Sequence, residues 1–219
     1  KMPNSVTTIG SSAFYNCKSL TSIEIPKSVT TIGSSAFKSC VNLESVIWNA
    51  ENCTEAGSND YPIFADCSKL KSVSFGNNVK IIPAYSFKSC NSIASIRIPD
   101  SVITIGSSAF AGCDGLTSIS LPFVGSGLNA TENTHFGYIF GASSRYQNSI
   151  VPAALKTVVI SNGSAKILIK DYAFYKCDGL TSVTISIGVT KIESAAFEYC
   201  GSLTSVKILN SVIGMIQFR

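Results

Sequence analysis

The sequence predicts a solenoid, a fold in which one short structural unit repeats along a single axis. Three observations predict it: a motif that returns about every 23 residues, an aromatic residue at a fixed place in each copy, and a cysteine three positions later. The clearest copy, at 101–122, is SVITIGSSAFAGCDGLTSISLP. Self-similarity at a period of roughly 20 to 50 residues is typical of solenoids, propellers and repeat arrays.

The aromatic column defines eight units. Its members are Phe14, Phe37, Phe64, Phe87, Phe110, Phe140, Phe174 and Phe197. Their successive spacings are 23, 27, 23, 23, 30, 34 and 23 residues, so extra sequence lengthens the third unit and surrounds the sixth. We therefore expect one repeat domain over 1–219, with insertions near 49–62 and 123–152.

Each unit contains a short extended segment with the spacing L-x-x-I-x-I, which places two aliphatic side chains on one face of a strand. The predicted strands span 20–26, 43–49, 70–76, 93–99, 116–122, 155–161, 180–186 and 203–209. Pro26, Pro99 and Pro122 end three of them, because proline cannot donate to a strand ladder. We expect all eight strands to form one parallel sheet in this order.

The rest of each unit is predicted as a second short extended piece followed by a single turn of helix. Val29 and Ile32 are the apolar residues of one such piece. Ser34 lies where the N-cap of such a turn is expected, since its side-chain oxygen can accept a free backbone N–H. Phe37 and Cys40 are three residues apart and would share one face of the turn.

Seven of the eight cysteines occupy one position of the repeat, and Cys53 lies outside it. They are Cys17, Cys40, Cys67, Cys90, Cys113, Cys177 and Cys200. Neighbouring strands are close enough for disulfides, but parallel side chains favour a column of buried, reduced thiols. No C-x-x-C pair suggests zinc.

The composition indicates an exported protein. Charged residues make up 14% of the chain, below the usual figure of about 25%, and Ser, Thr and Asn are abundant. The net charge of +4 without a basic run argues against nucleic acid as the main partner. The sequence has no apolar stretch long enough to cross a membrane and no signal peptide, since Lys1 begins inside a repeat. We expect a fragment of a longer precursor that is extracellular or attached to the cell surface.

The repeat motif L-x-x-I-x-I-P-x-S-V-x-x-I-G-x-x-A-F-x-x-C, present at 20–40 and 93–113, resembles the BspA-like class of bacterial leucine-rich repeats. The resemblance implies a leucine-rich repeat solenoid: a right-handed, curved, β-rich coil with a parallel sheet on one face and short helical turns. It also implies cell-surface adhesion or binding of host proteins and other cells. The family offers no shared catalytic residues or cofactor to transfer.

One candidate binding surface is the strand column between the two core aliphatics, which varies from unit to unit. Its members are Glu24, Ile47, Ser74, Arg97, Ser120, Val159, Thr184 and Lys207. In the expected fold this column faces the concave surface that extended repeats use for ligands. Glu24, Arg97 and Lys207 are its candidate contacts, although variation without selection gives the same pattern.

The second candidate surface is the insertion at 123–152. Tyr138, Arg145 and Tyr146 are its candidate contacts, because aromatic and arginine side chains dominate binding hot spots. Two interpretations stay open. Either the segment projects from a rim as a recognition element, or it is a packed structural insertion with Phe140 in the core.

The sequence argues against an enzyme. His135 is the one histidine and no serine lies in a G-x-S-x-G motif, so a hydrolase triad has no support. Glu55, Asp60 and Asp66 lack the spacing of a calcium loop. We expect a non-enzymatic surface module, without cofactor or metal, that binds a protein or glycan. The alternative is a structural spacer that presents another domain of a larger surface protein.

Overall fold

The computed structural model describes residues 1–161 and 166–209 and consists of repeated short parallel strands. In chain order the strands are β1 (Thr8–Ile9), β2 (Ser22–Ile25), β3 (Thr31–Ile32), β4 (Ser45–Trp48), β5 (Glu55–Ala56), β6 (Ser72–Phe75), β7 (Ile81–Ile82), β8 (Ser95–Arg97), β9 (Thr104–Ile105), β10 (Ser118–Leu121), β11 (Thr157–Ile160), β12 (Ile167–Ile169), β13 (Ser182–Ile185), β14 (Val189–Ile192) and β15 (Ser205–Ile208). The chain is thus a parallel-strand solenoid, as the sequence predicts.

Each repeat forms one rung, made of a turn segment around the column Phe and a long strand, and in the described residues every rung but the sixth begins with a short strand. Rungs 1 to 8 are numbered by their long strands, which are β2, β4, β6, β8, β10, β11, β13 and β15. This count equals the eight units of the sequence.

The long strands pair in the predicted register. Ser22 is opposite Ser45, which is opposite Ser72, and the same column continues from Ser95 to Ser205. The repeat period sets this register, since a slip of one residue would turn the buried side chains to solvent.

The prediction of one continuous sheet is wrong at one junction. β2, β4 and β6 form one sheet, whereas β8, β10, β11, β13 and β15 form another. The residue after the long strand donates its backbone N–H to the preceding rung at Asn49 (3.0 Å) and Gly76 (2.9 Å). Rung 4 has Pro99 at this position, and proline has no N–H to donate.

The core is a single column of stacked side chains. The rings of Phe14 and Phe37 lie 5.0 Å apart and nearly parallel, and the Phe37–Phe64 and Phe87–Phe110 pairs stack at 5.3 and 5.7 Å. Alternate residues of the long strands, such as Trp48, also point inward and are buried. Burial of this apolar surface is the main stabilising term of the fold.

The predicted helical turn at Ser34–Phe37 is instead a run of β-turns. Lys38 N–H donates to Ser35 O at 3.0 Å, which closes one turn over 35–38, and Cys40 N–H donates to Phe37 O at 3.2 Å, which closes the next over 37–40. Ser39, the third residue of the second turn, has a φ of 61°, and Ser35, which begins the first turn, has a φ of 56°. A positive φ at the third residue is the geometry of a type II turn. It leaves Phe37 N–H free to donate to Ile63 O of the next rung, at 2.9 Å. Hydrogen bonds between rungs therefore outweigh the local preference for helix.

All eight cysteines are free thiols, in agreement with the predicted column. Within the column, Cys113 Sγ donates to Phe87 O of the preceding rung at 3.1 Å, and Cys40 bonds Phe14 O in the same way. Burial raises the pKa of Cys113 to about 12, because the thiolate loses its hydration. Cys53, outside the column, is buried too.

We expect most thiols to be unreactive in the folded protein. Cys40, Cys53, Cys67, Cys90, Cys113 and Cys177 are buried. Ellman's reagent at neutral pH should therefore label no more than the two half-buried thiols, Cys17 and Cys200, and all eight after denaturation without reductant. Fewer than eight after denaturation would indicate disulfides, and full labelling of the native protein would contradict the buried column.

The insertion at 123–152 is packed rather than projecting, so the projecting alternative is wrong. Phe123, Phe136 and Phe140 are fully buried, and the segment forms two 3₁₀ helices, Phe136–Phe140 and Arg145–Ile150. The chain uses its extra apolar side chains to extend the core across this lengthened unit.

The insertion near 49–62 adds little beyond a short loop. β5 pairs with β3 in the regular way, and Cys53 lies inside the rung. The extra length falls mainly after Ala56, which precedes Phe64 by eight residues, whereas Ile32 precedes Phe37 by five. Three exposed or half-exposed residues at 58–60 accommodate the difference.

Candidate ligand-binding surface

Four tyrosines lie side by side on the turn segments of rungs 6 to 8. The ring centroid of Tyr146 is 5.8 Å from those of Tyr172 and Tyr175, Tyr172 is 5.5 Å from Tyr175, and Tyr175 is 5.5 Å from Tyr199. Most of these rings meet edge to face, an arrangement that aromatic pairs favour. Together they form a continuous aromatic surface rather than isolated side chains.

Two cations lie over these rings. The guanidinium carbon of Arg145 is 4.7 Å from the Tyr172 centroid and 5.2 Å from that of Tyr146, and Lys176 Nζ is 5.3 Å from the Tyr175 centroid. Among the residues that the structure describes, no carboxylate forms an ion pair with either cation. We define the tyrosine–cation surface as Arg145, Tyr146, Tyr172, Tyr175, Lys176 and Tyr199.

The fold places the central members of this surface, Tyr172, Tyr175 and Lys176, on a firmly held backbone. Phe174 points into the core, so its neighbours Tyr175 and Tyr172 point outward from the turn. Tyr172 N–H donates to Ser194 O at 3.2 Å and Lys176 N–H to Glu198 O at 3.0 Å, which fixes the turn against rung 8. Side chains on a fixed backbone lose less entropy when they bind a partner.

Arg145 and Tyr146 are positioned by a buried asparagine. Asn148, in the same 3₁₀ helix, accepts the backbone N–H of Gly137 at 2.7 Å and donates to Ala173 O at 3.2 Å. Asn148 is completely buried, so these bonds join the two 3₁₀ helices to rung 7. They bring the insertion against the tyrosines of the regular repeats.

The surface is open to solvent. Tyr146 is 55% exposed and Tyr199 is 63% exposed, while Tyr172 and Tyr175 are half-buried beneath them. Single exposed apolar side chains are ordinary, but contiguous exposed apolar patches mark interaction sites. Tyr and Arg are also the residues most enriched at binding hot spots.

The structure brings together two of the three residues predicted in the insertion. Arg145 and Tyr146 lie in the tyrosine–cation surface, whereas Tyr138 is half-buried in the first 3₁₀ helix with its ring 6.1 Å from that of His135. Tyr172, Tyr175, Lys176 and Tyr199 were missed. The sequence signal for them is a tyrosine within two residues of the column Phe in two successive units.

The three residues predicted in the strand column do not form a cluster. Arg97 and Lys207 are exposed on one sheet but lie four strand steps apart, about 19 Å at the usual strand spacing. Glu24 belongs to the other sheet, where it pairs with Lys1 at 3.5 Å and accepts a hydrogen bond from Asn49 at 3.2 Å. Within the part of the chain that the structure describes, none of these three charged side chains lies over an aromatic ring.

The histidine and acidic residues have structural surroundings. His135 is buried, its Nε2 lies 3.2 Å from Ala142 O, and burial lowers its pKa. Within the described residues, no group of three or more His, Cys, Asp or Glu side chains is arranged to hold a metal. The described helices are also too short to cross a membrane.

The fold is that of a leucine-rich repeat protein. The family model for the BspA type leucine rich repeat region matches residues 1–117, 60–158 and 146–218, with six copies of the repeat region. The chain therefore belongs to the BspA-type leucine-rich repeat family. In the comparison with curated proteins, no match was found.

Solved structures of other proteins are similar to this chain. The TLR13–ssRNA13 complex shares 14% identity over 86% of this chain and 24% of its own, with a TM-score of 0.55. A leucine-rich repeat protein from Bacteroides ovatus shares 22% identity over 97% of this chain and 66% of its own, with a TM-score of 0.47. A leucine rich cell surface protein from Faecalibacterium prausnitzii shares 20% identity over 93% of this chain and 83% of its own, with a TM-score of 0.29. The chain thus spans about a quarter of the first protein and about two thirds of the second. The likeness to the TLR13 complex concerns the fold alone.

Proposed function

We propose that this chain is a non-enzymatic binding module of an exported cell-surface protein, and that it recognises a protein or glycan through the tyrosine–cation surface. The observation that carries the proposal is the continuity of four tyrosines and two cations across rungs 6 to 8. Membership of the BspA-type family and the hydroxyl-rich, weakly charged composition support an extracellular or cell-surface location.

The chemistry of the surface suits a partner that combines apolar and anionic groups. Tyrosine rings provide large contact area at a small entropy cost, and their hydroxyls add hydrogen bonds. Arg145 uses one N–H toward the Tyr146 hydroxyl, at 3.3 Å, and a guanidinium has five donors in total. The planar fork of arginine matches carboxylate and other anionic oxygens, so a partner with such a group gains directed bonds here.

Point substitutions are the suitable test, because deletion of 125–149 would remove Phe136 and Phe140 from the core. The purified chain is first screened on a glycan array and on an array of extracellular-matrix proteins. Against the partner so found, R145A/Y146A should weaken binding by about 10- to 30-fold, the size of a hot-spot loss. The measurement is the dissociation constant by biolayer interferometry, at two salt concentrations.

Tyr15→Ala is the matched control. Tyr15 directly follows its column Phe, as Tyr175 does. Its exposed fraction, 54%, is similar to the 55% of Tyr146, but Tyr15 lies on rung 1, away from the tyrosine–cation surface. This variant should bind like the wild type. Equal binding by R145A/Y146A and the wild type would refute the proposal, and absence of any partner on both arrays would favour the spacer role.

A further inference from the structure

The junction between rung 3 (50–76) and rung 4 (77–99) differs from the other described junctions of the solenoid. Elsewhere, neighbouring rungs are joined by backbone hydrogen bonds on up to three faces, formed by the long strands, the short strands and the turn segments. At this junction all three sets are interrupted. We term this junction the seam.

The long-strand face loses its pairing at Pro99. The equivalent backbone N–H donates to the preceding rung at Asn49, Gly76, Ser161 and Ser186, all within 3.0 Å. Rung 4 has no such donor, and β6 and β8 fall in different sheets.

The short-strand face loses its pairing at Pro83. In rungs 2, 3 and 5 the equivalent residue is Gly33, Gly57 or Gly106, whose N–H donates to an Ile of the preceding rung at 2.7 to 2.9 Å. Rung 4 again has proline instead, and β5 and β7 fall in different sheets.

The turn face loses its pairing at Pro62. On this face the donor belongs to the rung that comes earlier in the chain. Ser12, Ser35 and Tyr85 each have a positive φ and donate their backbone N–H to a carbonyl of the following rung, at 3.0 to 3.2 Å. Pro62 holds this place in rung 3, where it has neither the N–H nor access to positive φ. A cavity of about 530 Å³ opens beside it, lined by residues of both rungs, including Asp66 and Lys88.

One proline is tolerated, and the coincidence of three makes the seam. Pro122 occupies in rung 5 the position that Pro99 occupies in rung 4. There β8 and β10 stay paired, and Gly106 N–H still donates to Ile82 O at 2.8 Å. A single missing donor is thus compensated by the other faces of the same junction.

Side-chain packing and side-chain hydrogen bonds join the two sides of the seam. Lys88 Nζ donates to Asn59 O at 2.7 Å and Ser92 Oγ to Ser68 O at 2.6 Å, and the core rings meet as well. Phe87 of rung 4 lies 5.7 Å from Phe64 and 5.6 Å from Phe75 of rung 3. One backbone bond crosses in the described structure, from Lys80 N–H to Glu51 O at 2.8 Å. The apolar core is therefore continuous across the seam, while the backbone ladder is not.

We propose that the seam is an opening point that divides the solenoid into two cooperative blocks, 1–76 and 77–209. The stability of a repeat protein is approximately the sum of the free energies of its rungs and of the interfaces between neighbouring rungs. The chain therefore divides into separately unfolding blocks where the interface is weakest. The N-terminal block has three rungs, whereas the C-terminal block has five and the packed insertion. The N-terminal block therefore unfolds first, and the tyrosine–cation surface, which lies wholly in the C-terminal block, keeps its geometry.

The test is urea unfolding of the whole chain with one probe in each block. Trp48 is the single tryptophan, lies in the N-terminal block and packs 5.4 Å from Phe87 across the seam, so its emission reports opening. Pulsed thiol labelling of Cys113 and Cys177, read by mass spectrometry, reports the C-terminal block. The Trp48 transition should have its midpoint at lower urea than the labelling of these thiols. Coincident transitions in the wild type would overturn the proposal.

Restoring the donors tests the cause. P83G/P99N places in rung 4 the residues that rung 2 has at these positions, Gly33 and Asn49. In this variant the urea midpoints of Trp48 emission and of thiol labelling should become equal. Pro122→Asn, the matched control, should leave the difference between the two midpoints unchanged. If the donors are restored and the separation persists, the prolines do not cause the seam. Should the double variant fail to fold, the order of the wild-type transitions still decides whether the blocks exist.

Discussion

Replacing Phe110 with alanine should lower the free energy of unfolding by about 3 to 5 kcal/mol, as for other fully buried aromatics. Phe110 has no exposed surface, and its ring stacks on that of Phe87 at 5.7 Å. The flanking turns are hydrogen-bonded to both neighbouring rungs, since Phe110 N–H donates to Ile139 O and Phe87 N–H to Ala109 O. The backbone is therefore held apart, and the cavity cannot close. Urea unfolding followed by labelling of Cys113 measures the loss in the block that contains it.

Two controls accompany this substitution. Phe110→Leu keeps most of the buried volume and should cost less than Phe110→Ala. Tyr61→Ala removes an aromatic side chain that is 60% exposed, and it should change stability by less than about 0.5 kcal/mol. If Phe110→Ala and Tyr61→Ala had equal effects, the aromatic column would not be the core.

Raising the pH above 9 should destabilise the protein through its buried thiols. Burial raises the pKa of Cys67 and Cys113 from 9.0 to about 12, and it raises that of Cys90 and Cys177 as well. Their contribution to stability is complete below pH 9 and is lost as the pH rises from 9 through 12, because the unfolded chain releases protons that the folded chain retains. At pH 10 the loss is on the order of 1 kcal/mol for each thiol shifted to this extent. Because burial raises the pKa of each of these four thiols, their effects on stability have the same sign.

The measurement is the free energy of unfolding from urea titrations at pH 8, 9, 10 and 10.5, with reductant present. Cys113→Ala is the matched variant, since it removes one buried thiol whose pKa is raised. The free energy of unfolding of this variant should fall less steeply with pH than that of the wild type. At the upper end of this range the difference in slope should correspond to about one proton fewer released on unfolding. Equal slopes for the two proteins, or a flat wild-type profile, would contradict the buried column.

Sequence periodicity was sufficient for the register of the strands but not for the seam. The pairing of Ser22 with Ser45 follows from equal positions in successive units. Pro99 and Pro122 occupy equal positions too, and the sequence treats both as strand ends. Their different effects depend on Pro62 and Pro83 meeting Pro99 at one junction, which requires knowing which rung donates to which.

The turn segments show a second limit of local reasoning. The residues from Ser34 to Cys40 suit a capped helical turn as well as successive β-turns. Ser35 and Ser39 adopt positive φ because this directs alternate N–H groups to Tyr61 O and Ala65 O of the next rung. A single unit lacks these acceptors, so the neighbouring rung determines whether the segment forms β-turns or a helical turn.

The candidate surface was predictable in part. Arg145 and Tyr146 stand out in the insertion as side chains that suit recognition. Tyr172 and Tyr175 flank a core Phe, and the sequence does not show that the insertion folds back onto them. That contact depends on Asn148, whose buried hydrogen bonds to rung 7 a sequence pattern does not predict.

The most direct test of the proposed binding function is a hydroxyl-radical footprint of the chain with and without the partner identified on the arrays. Tyr146, Tyr175 and Tyr199 should be protected by the partner, because the tyrosine–cation surface is the proposed contact. Protection of the strand column between Arg97 and Lys207 instead, with the tyrosines oxidised equally in both samples, would place the partner on the other face and contradict the account.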